Sequence, residues 1–134
     1  RFNDLIVERL ERGARRALLE HGVAEESIAT WWVPGALEVP QVVSALARRR
    51  DHDAIVTLGA GVRGDPYHFE VVSDASAAGL MQLSIDVDAV VTNGILTVDD
   101  LDQALARAGE HDGNKGSQAA LAALETLAVL DSID

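Results

Sequence analysis

The chain has 134 residues, of which 48% are apolar and 25% are charged, and these values are typical of one globular domain. Eleven basic residues stand against 22 acidic ones, and the net charge of −11 repels DNA, RNA and anionic lipid headgroups. The sequence has no cysteine, which excludes disulfides, thiolate nucleophiles and iron–sulfur ligation. No apolar run approaches the roughly 18 residues that span a bilayer, so we expect a cytoplasmic protein that binds neither nucleic acid nor membrane.

Helical and strand patterns alternate along the chain. Apolar spacing predicts a helix over residues 5–19 that ends at His21-Gly22, then a strand over 27–33 and a helix over 36–50 that contains Pro40. Two continuous apolar runs, 53–59 and 89–93, predict strands buried on both faces of a parallel sheet. The remaining helices are predicted over 67–85, from an Asp99 or Asp100 cap through Arg107, and from 116 to about 130.

This alternation predicts one α/β domain over residues 1–134, a three-layer αβα sandwich in which helices cover both faces of a parallel sheet. Three predicted strands make a thin sheet, and the first predicted helix has no strand before it. We therefore expect the sheet to lack a strand upstream. In open α/β sheets, ligands bind beyond the carboxyl ends of the strands, so the segments after Val33, Gly59 and Asn93 form the candidate site.

The first two of these segments offer a carboxylate and a glycine loop. Glu38 follows Pro34-Gly35 at a helix N-terminus, where it can accept hydrogen bonds from substrate hydroxyls or merely complement the helix dipole. Three glycines between residues 59 and 64 permit close approach of a ligand, although their spacing matches neither a Walker loop nor a dinucleotide fingerprint. His68 comes next, and its imidazole can move protons near neutral pH, while a lone histidine also occurs as a purely structural residue.

The third segment is basic in an otherwise acidic chain. Residues 107–116 combine an arginine, three glycines and Lys115, the only lysine beside ten arginines. Arg107 can present a planar guanidinium to a phosphate, and Lys115 can supply a compact point charge. The alternatives are a cation that complements a helix C-terminus for Arg107, and a compositional accident for Lys115.

Taken together, these motifs resemble those of the lumazine synthase family. An Arg-Phe-Asn turn is matched by residues 1–3, Val-Pro-Gly-Ala-aromatic-Glu-Ile/Val-Pro by 33–40, and Leu-Gly-x-x-Ile/Val-Arg-Gly-x-x-x-His by 58–68. Asn-Gly-Ile-Leu-Thr corresponds to 93–97, and Gln-Ala-x-x-Arg-Ala-Gly and Asn-Lys-Gly correspond to 103–109 and 114–116. The resemblance spans the chain in one register.

The resemblance implies a flavodoxin-like fold and a transferase of riboflavin biosynthesis. This enzyme condenses 5-amino-6-(D-ribitylamino)pyrimidine-2,4-dione with 3,4-dihydroxy-2-butanone 4-phosphate to give 6,7-dimethyl-8-ribityllumazine, phosphate and water. No metal or organic cofactor is implied. The resemblance also implies a homo-oligomer of pentamers, alone, paired or as an icosahedral capsid, with active sites shared between neighbours, and riboflavin synthase as a candidate partner.

The roles of individual residues follow from the same resemblance. Phe2 would stack on the pyrimidine ring, and the catalytic residue His68 would move protons. Lys115 and Asn93 would bind substrate from a neighbouring subunit. The ribityl chain would contact Ala36, Leu37 and Glu38, the backbone of Gly61 and Val62 would line the same pocket, and the phosphate would contact Asp65, Pro66 and Arg107.

Three departures from the family pattern affect these expectations. Leu37 stands where many members have an aromatic residue, which should loosen the ribityl end. Asp65-Pro66 replaces a pair that usually ends in Thr, so a hydroxyl and an N–H are lost near the phosphate and a negative charge is added. The family's strand before Arg-Phe-Asn is also missing. Two rival functions are a shell-forming scaffold with a decayed phosphate site, and a flavin-binding module in which His68 and Lys115 would be idle.

Overall fold

The structure, a computed structural model, describes residues 2–62, 66–110 and 113–133, and of residues 2, 3, 62, 66–73 and 85 it describes the backbone alone. Short 3-10 helices at Glu25–Ser27 and Ala36–Glu38 lie within the first connection. The described elements are helices α1 (Phe2–Glu20), α2 (Val39–Arg49), α3 (Pro66–Asp86), α4 (Leu101–Ala106) and α5 (Lys115–Ile133), and strands β1 (Ala54–Val62) and β2 (Val90–Val98).

The two strands form a parallel sheet. Ala54 lies opposite Val90 at one end of the ladder, and Val62 lies opposite Val98 at the other. Helix α3 connects the strands, as parallel pairing requires, because the chain must return to the starting edge of the sheet before the second strand begins. Both carboxyl ends therefore lie at the same edge, which leads into α3 and α4.

Helices cover both faces of this sheet. Leu58 on β1 and Leu96 on β2 point to one face and pack against α1, while Ile55 and Ile95 point to the other face. The alternation follows from the pleat of a strand, in which successive side chains face opposite sides. The molecule is thus an α/β sandwich of the flavodoxin-like type, with α1, α4 and α5 on one face and α2 and α3 on the other.

Helices α1 and α5 approach each other closely at two glycines. A Cβ on Gly116 would overlap the backbone carbonyl of Leu10, and a Cβ on Gly13 would overlap the side chain of Asn114. Because neither glycine carries a side chain, the start of α5 rests directly on the backbone of α1. Small residues continue this contact along the two helices, at Ala14, Ala17 and Ala120.

The opposite face is held by a smaller apolar cluster. Val39 and Val43 of α2 pack with Leu80 of α3, and both helices cover the sheet there. Pro40 lies in the first turn of α2, where the N–H that it lacks would have no partner within the helix. Its ring lies against Gly79 of α3, where an added Cβ would be 3.0 Å away.

Most of the elements predicted from the sequence are confirmed. The first helix extends over Phe2–Glu20, and Gly22 follows it with φ +91°, in the left-handed conformation expected of a glycine stop. The helices predicted over 36–50, 67–85 and 116–130 correspond to α2 with its preceding 3-10 turn, α3 and α5, and Asp100 is the cap of α4. Among the described residues, none of the helices has the length and apolar character needed to cross a bilayer.

The strand predicted over residues 27–33 is wrong. Ser27 ends a 3-10 helix, and the extended backbone that follows it pairs with no strand among the described residues. Side chains hold this segment instead: the Arg15 guanidinium donates to Thr30 Oγ1 at 2.9 Å, and the Trp31 ring meets the His52 ring edge-on, with centroids 5.7 Å apart. Extended backbone becomes a strand only where a neighbouring strand completes its hydrogen bonds, and a local pattern does not show whether that neighbour exists.

The close crossing of α1 and α5 makes Gly116 sensitive to substitution. Gly116→Ala adds a methyl group against the Leu10 carbonyl, and backbone cannot rotate aside as a side chain can. We expect the free energy of unfolding to fall by about 1–3 kcal/mol, as in other overpacked cores, despite the better helix propensity of alanine.

Gly35→Ala is the matched control, since its added Cβ would make only an ordinary contact of 3.5 Å with Glu38. Denaturant unfolding of the two variants measures the difference between their free energies of unfolding. Equal stability of the two would show that α1 and α5 are not in direct backbone contact.

Candidate active site

The carboxyl end of β1 leads into the glycine loop. Gly61 and Val62 end the strand opposite Thr97 and Val98 of β2, so this end of the ladder brings both connections together. His68 lies in the first turn of α3. Its side chain lies outside the described part of the structure, as do the side chains of Phe2, Val62 and Pro66 and the whole of residue Asp65. The roles expected of these five residues therefore stay predictions.

The Ala36–Glu38 segment forms a 3-10 turn that leads directly into α2. The Ser76 hydroxyl, which is buried on α3, donates to the carbonyl of Ala36 at 3.3 Å and so fixes the turn against that helix. Glu38 is exposed and makes no capping hydrogen bond to α2, and its carboxylate folds back toward the Cα of Gly35. The carboxylate thus remains available to a ligand, while Leu37 is 50% exposed beside it.

Arg107 and Lys115 are brought together by the main chain. Arg107 follows the last turn of α4 and Lys115 is the first residue of α5, and the Lys115 N–H donates to the Arg107 carbonyl at 2.8 Å. Arg107 is exposed and Lys115 is half-buried. Two cationic residues eight positions apart in sequence therefore have adjacent backbones, and Arg107 also stands at the C-terminus of α4, as its alternative role predicts.

Asn93 lies within β2 and not after it, because the strand extends to Val98. The prediction that this strand ends at residue 93 is wrong, and so is the prediction that the preceding one ends at 59. Asn93 lies opposite Thr57, four positions before Gly61, which corresponds to about 13 Å along the ladder. Its side chain is exposed and Oδ1 accepts from the N–H of Ile95 at 2.9 Å. Pairing with β1 keeps the backbone of Asn93-Gly94 extended.

Two clefts of a single chain lie elsewhere. A cleft of about 500 Å³ is bordered by Arg9, Arg12 and Arg16 of α1, by the loop at Gly109 and by Asn114. A second cleft of about 410 Å³ lies at the opposite edge of the sheet, near Asp53. Neither is lined by the Ala36–Glu38 turn, Gly61 or Lys115. Within the described ranges, no group of three His, Cys, Asp or Glu side chains could hold a metal ion.

Reasoning from the sequence missed two residues that hold these segments. Ser76 and Asn114 are both buried polar residues, 3% and 2% exposed, and each bonds to a segment that carries candidate site residues. No pattern in the sequence distinguishes Ser76 from the other serines of α3. Asn114 did carry a signal, because Asn directly before a helix is a preferred N-cap, and its Oδ1 accepts from the N–H of Ser117 at 3.0 Å.

Comparison with known proteins gives a consistent result. The sequence model of one family, 6,7-dimethyl-8-ribityllumazine synthase, matches residues 1–131. A protein of Leuconostoc mesenteroides named 6,7-dimethyl-8-ribityllumazine synthase is 44% identical over 133 residues, which cover 99% of this chain and 85% of that protein. A protein of Kosmotoga olearia with the same name is 46% identical over 125 residues, or 93% and 80% of the two chains. With a family match over nearly its whole length and two relatives above 40% identity, this chain belongs to the 6,7-dimethyl-8-ribityllumazine synthase family.

Proposed function

We propose that this chain is a transferase that condenses 5-amino-6-(D-ribitylamino)pyrimidine-2,4-dione with 3,4-dihydroxy-2-butanone 4-phosphate. The products are 6,7-dimethyl-8-ribityllumazine, phosphate and water. The family match supports the reaction as a step of riboflavin biosynthesis. From the geometry, the observation that carries the proposal is the main-chain bond joining Arg107 and Lys115, because it creates a local pair of cations for a phosphate ester in a chain of net charge −11.

The pyrimidine substrate has an aromatic ring at one end and a polyol chain at the other, and different segments serve the two ends. Phe2, at the start of α1, stacks on the ring. Glu38 accepts hydrogen bonds from the ribityl hydroxyls, and the 3-10 turn that carries it, with Ala36 and Leu37, is held by Ser76. Ser76 lies eight residues after His68, roughly 12 Å along the helix, which suits an elongated substrate.

His68 moves protons during the reaction. The substrate amine attacks the carbonyl of the butanone phosphate and loses water to form an imine, phosphate is then eliminated, and closure of the second ring releases water. Each step needs a proton removed from one atom and delivered to another, and an imidazole performs both tasks near neutral pH. The backbone N–H groups near Gly61 and Val62, at the end of β1, line the pocket in which this happens.

The active site is composite in this proposal. Arg107, Lys115 and Asn93 act on the substrate held by Phe2, Glu38 and His68 of a neighbouring subunit. Two observations support this arrangement: neither of the two clefts described above collects these residues, and Asn93 is about 13 Å from Gly61 along the ladder. Rings of five, alone, paired or closed into a sixty-subunit shell, provide such interfaces. A cytoplasmic location and riboflavin synthase as a partner belong to the same proposal.

Arg107 is the main phosphate ligand, and the Asp65-Pro66 pair weakens the same subsite. Pro66 has no N–H to donate, and Asp65 adds a like charge. A guanidinium that binds phosphate through two hydrogen bonds compensates in part for the missing N–H and for the added negative charge. This sequence departure is also the observation that favours the second candidate function, a shell-forming scaffold of the same fold with little or no catalysis.

The direct test is to incubate the purified protein with both substrates and follow lumazine fluorescence. We expect turnover by the wild type and, for His68→Ala, a rate roughly ten- to a thousandfold lower with unchanged unfolding, because a general acid–base group is lost.

His21→Ala is the matched control, since His21 directly follows the C-terminal end of α1 and its Nδ1 bonds the Ala17 carbonyl on that helix. Assembly without fluorescence in the wild type would favour the scaffold. Equal rates for wild type and His68→Ala would remove His68 from the mechanism.

Substitutions at the phosphate subsite should change the KM for one substrate and leave the KM for the other nearly unchanged. Arg107→Ala removes a charge-assisted contact, so we expect a KM for the butanone phosphate raised about tenfold or more, with the KM for the pyrimidinedione nearly unchanged. Pro66→Thr restores a hydroxyl and an N–H and should lower the same KM.

Arg48→Ala is the control for loss of a helix C-terminal arginine outside the site, since Arg48 lies in the last turn of α2 and approaches Ser44 on the same helix. Unchanged KM values in both Arg107→Ala and Pro66→Thr would place the phosphate elsewhere.

A composite site can be tested by mixing two variants of low activity. His68→Ala subunits and Lys115→Ala subunits, dissociated and reassembled together, should regain activity because some interfaces combine one intact half-site with the other. In random rings from equal amounts, about one interface in four has the productive order, so about a quarter of wild-type activity is the ceiling. No recovery in mixtures that assemble normally by size-exclusion chromatography would mean that one chain supplies the whole site.

A further inference from the structure

We propose that Asn114 is a positioning residue, which sets the spacing of Arg107 and Lys115 and thereby the affinity for the phosphate-bearing substrate. This inference rests on the proposed function for its kinetic consequence, but its structural part is independent of any activity. The role that it assigns to Asn114 acts through the main chain of its neighbours.

The Asn114 side chain joins three separate parts of the chain. Its Oδ1 accepts from the N–H of Ser117 at 3.0 Å and caps α5. Its Nδ2 donates to the carbonyl of Gly109 at 3.0 Å and to the carbonyl of Arg9 on α1 at 3.3 Å. All three bonds end on backbone atoms, so the side chain holds the main chain in place.

This arrangement closes the loop between the two cations. Gly109 comes two residues after Arg107, and Asn114 directly precedes Lys115. The bond from Asn114 to Gly109 therefore lies immediately beside the bond from the Lys115 N–H to the Arg107 carbonyl, which is 2.8 Å long. Both cationic residues flank the same pair of hydrogen bonds, and moving the carboxamide would move both backbones.

The third bond fixes the closed loop to the rest of the molecule. Asn114 is 2% exposed and lies against Gly13, where any Cβ would overlap it. The space for the carboxamide exists only because position 13 is glycine, and the bond to Arg9 is made one turn earlier on the same helix. The bond to Arg9 thus fixes the loop relative to α1. The same bond fixes the direction in which Arg107 and Lys115 face a neighbouring subunit.

Replacing Asn114 by a smaller polar residue can distinguish its capping of α5 from its bonds to the Gly109 and Arg9 carbonyls. Asn114→Ser keeps an oxygen that can accept from Ser117, since serine is an equally good N-cap, but its hydroxyl is too short to reach the Gly109 and Arg9 carbonyls. Asn114→Ala loses the cap as well. Ala120→Gly is the control, because it weakens the packing of α5 on α1 one and a half turns along the helix without touching the loop.

Steady-state kinetics with each substrate varied in turn gives the first readout. We expect both Asn114→Ser and Asn114→Ala to raise the KM for the butanone phosphate by up to about tenfold, because a displaced loop weakens the charge-assisted contacts of Arg107 and Lys115 with phosphate. The KM for the pyrimidinedione should change less than about twofold, and Ala120→Gly should leave both constants unchanged although it lowers Tm. Equal increases in both KM values, or variants that behave like Ala120→Gly, would overturn the proposal.

Hydrogen exchange gives a readout that does not depend on catalysis. In Asn114→Ser the amide of Lys115 should exchange faster than in the wild type, while the amide of Ser117 stays protected by the cap. Ala120→Gly should leave the Lys115 amide unchanged. If the wild type forms no lumazine, the proposed function fails while this experiment still decides the positioning role, because an unchanged Lys115 amide in Asn114→Ser would overturn it.

Discussion

The contact on which most of this molecule depends is the crossing of α1 and α5 at Gly13 and Gly116. With no side chain at either position, the first turn of α5 lies on the backbone of α1, and the Asn114 carboxamide occupies the remaining space. Protein interiors are packed as densely as organic crystals, so such a contact cannot be loosened by a small amount without disturbing its neighbours. The one crossing therefore holds the helix that carries Phe2 and the loop that carries Arg107 and Lys115.

The sheet adds a second constraint, which is one of register. Pairing of Ala54 with Val90 determines every other pair down to Val62 and Val98, and a shift by one residue would turn each apolar side chain to the wrong face. Gly94 contributes to this arrangement, because a Cβ there would lie 2.9 Å from the Thr57 carbonyl and 3.0 Å from the Cβ of Ala119 on α5. A side chain at position 94 would therefore push α5 away from this strand.

The sequence predicted the elements better than their ends. Helix α1 and its glycine stop were predictable because amphipathic spacing and capping are local properties. The ends of β1 and β2 were not, since Gly59-Ala60-Gly61 and Asn93-Gly94 favour loops locally. They become strand because the first segment pairs with residues 95–97 of β2 and the second with residues 57–58 of β1. Residues 27–33 show the reverse case, in which a good strand pattern finds no strand beside it. In all three places tertiary pairing, which has no local signal, decided the outcome.

For the site, residue types were predictable and their mutual arrangement was not. Arg107 and Lys115 stood out because lysine occurs once in a chain with ten arginines. Their backbone contact depends on how a short helix ends and a long one begins, which spacing alone does not give. Asn114 shows which contacts a sequence pattern misses. Its position before a helix predicts only an N-cap, whereas in the structure its side chain also bonds to the backbone of Arg9, 105 residues earlier in the chain.

The closed loop between Arg107 and Lys115 also bears on how such a chain can change in length. Its two ends are joined by the main chain and by the Asn114 side chain, so the separation of the two cationic residues does not depend on the length of chain between Gly109 and Asn114. Lengthening a loop whose ends are held costs little conformational entropy, about 0.6 kcal/mol for each doubling. Insertions confined to this stretch would leave the separation of the two cations unchanged, which makes it a natural position for grafting a foreign peptide onto the subunit.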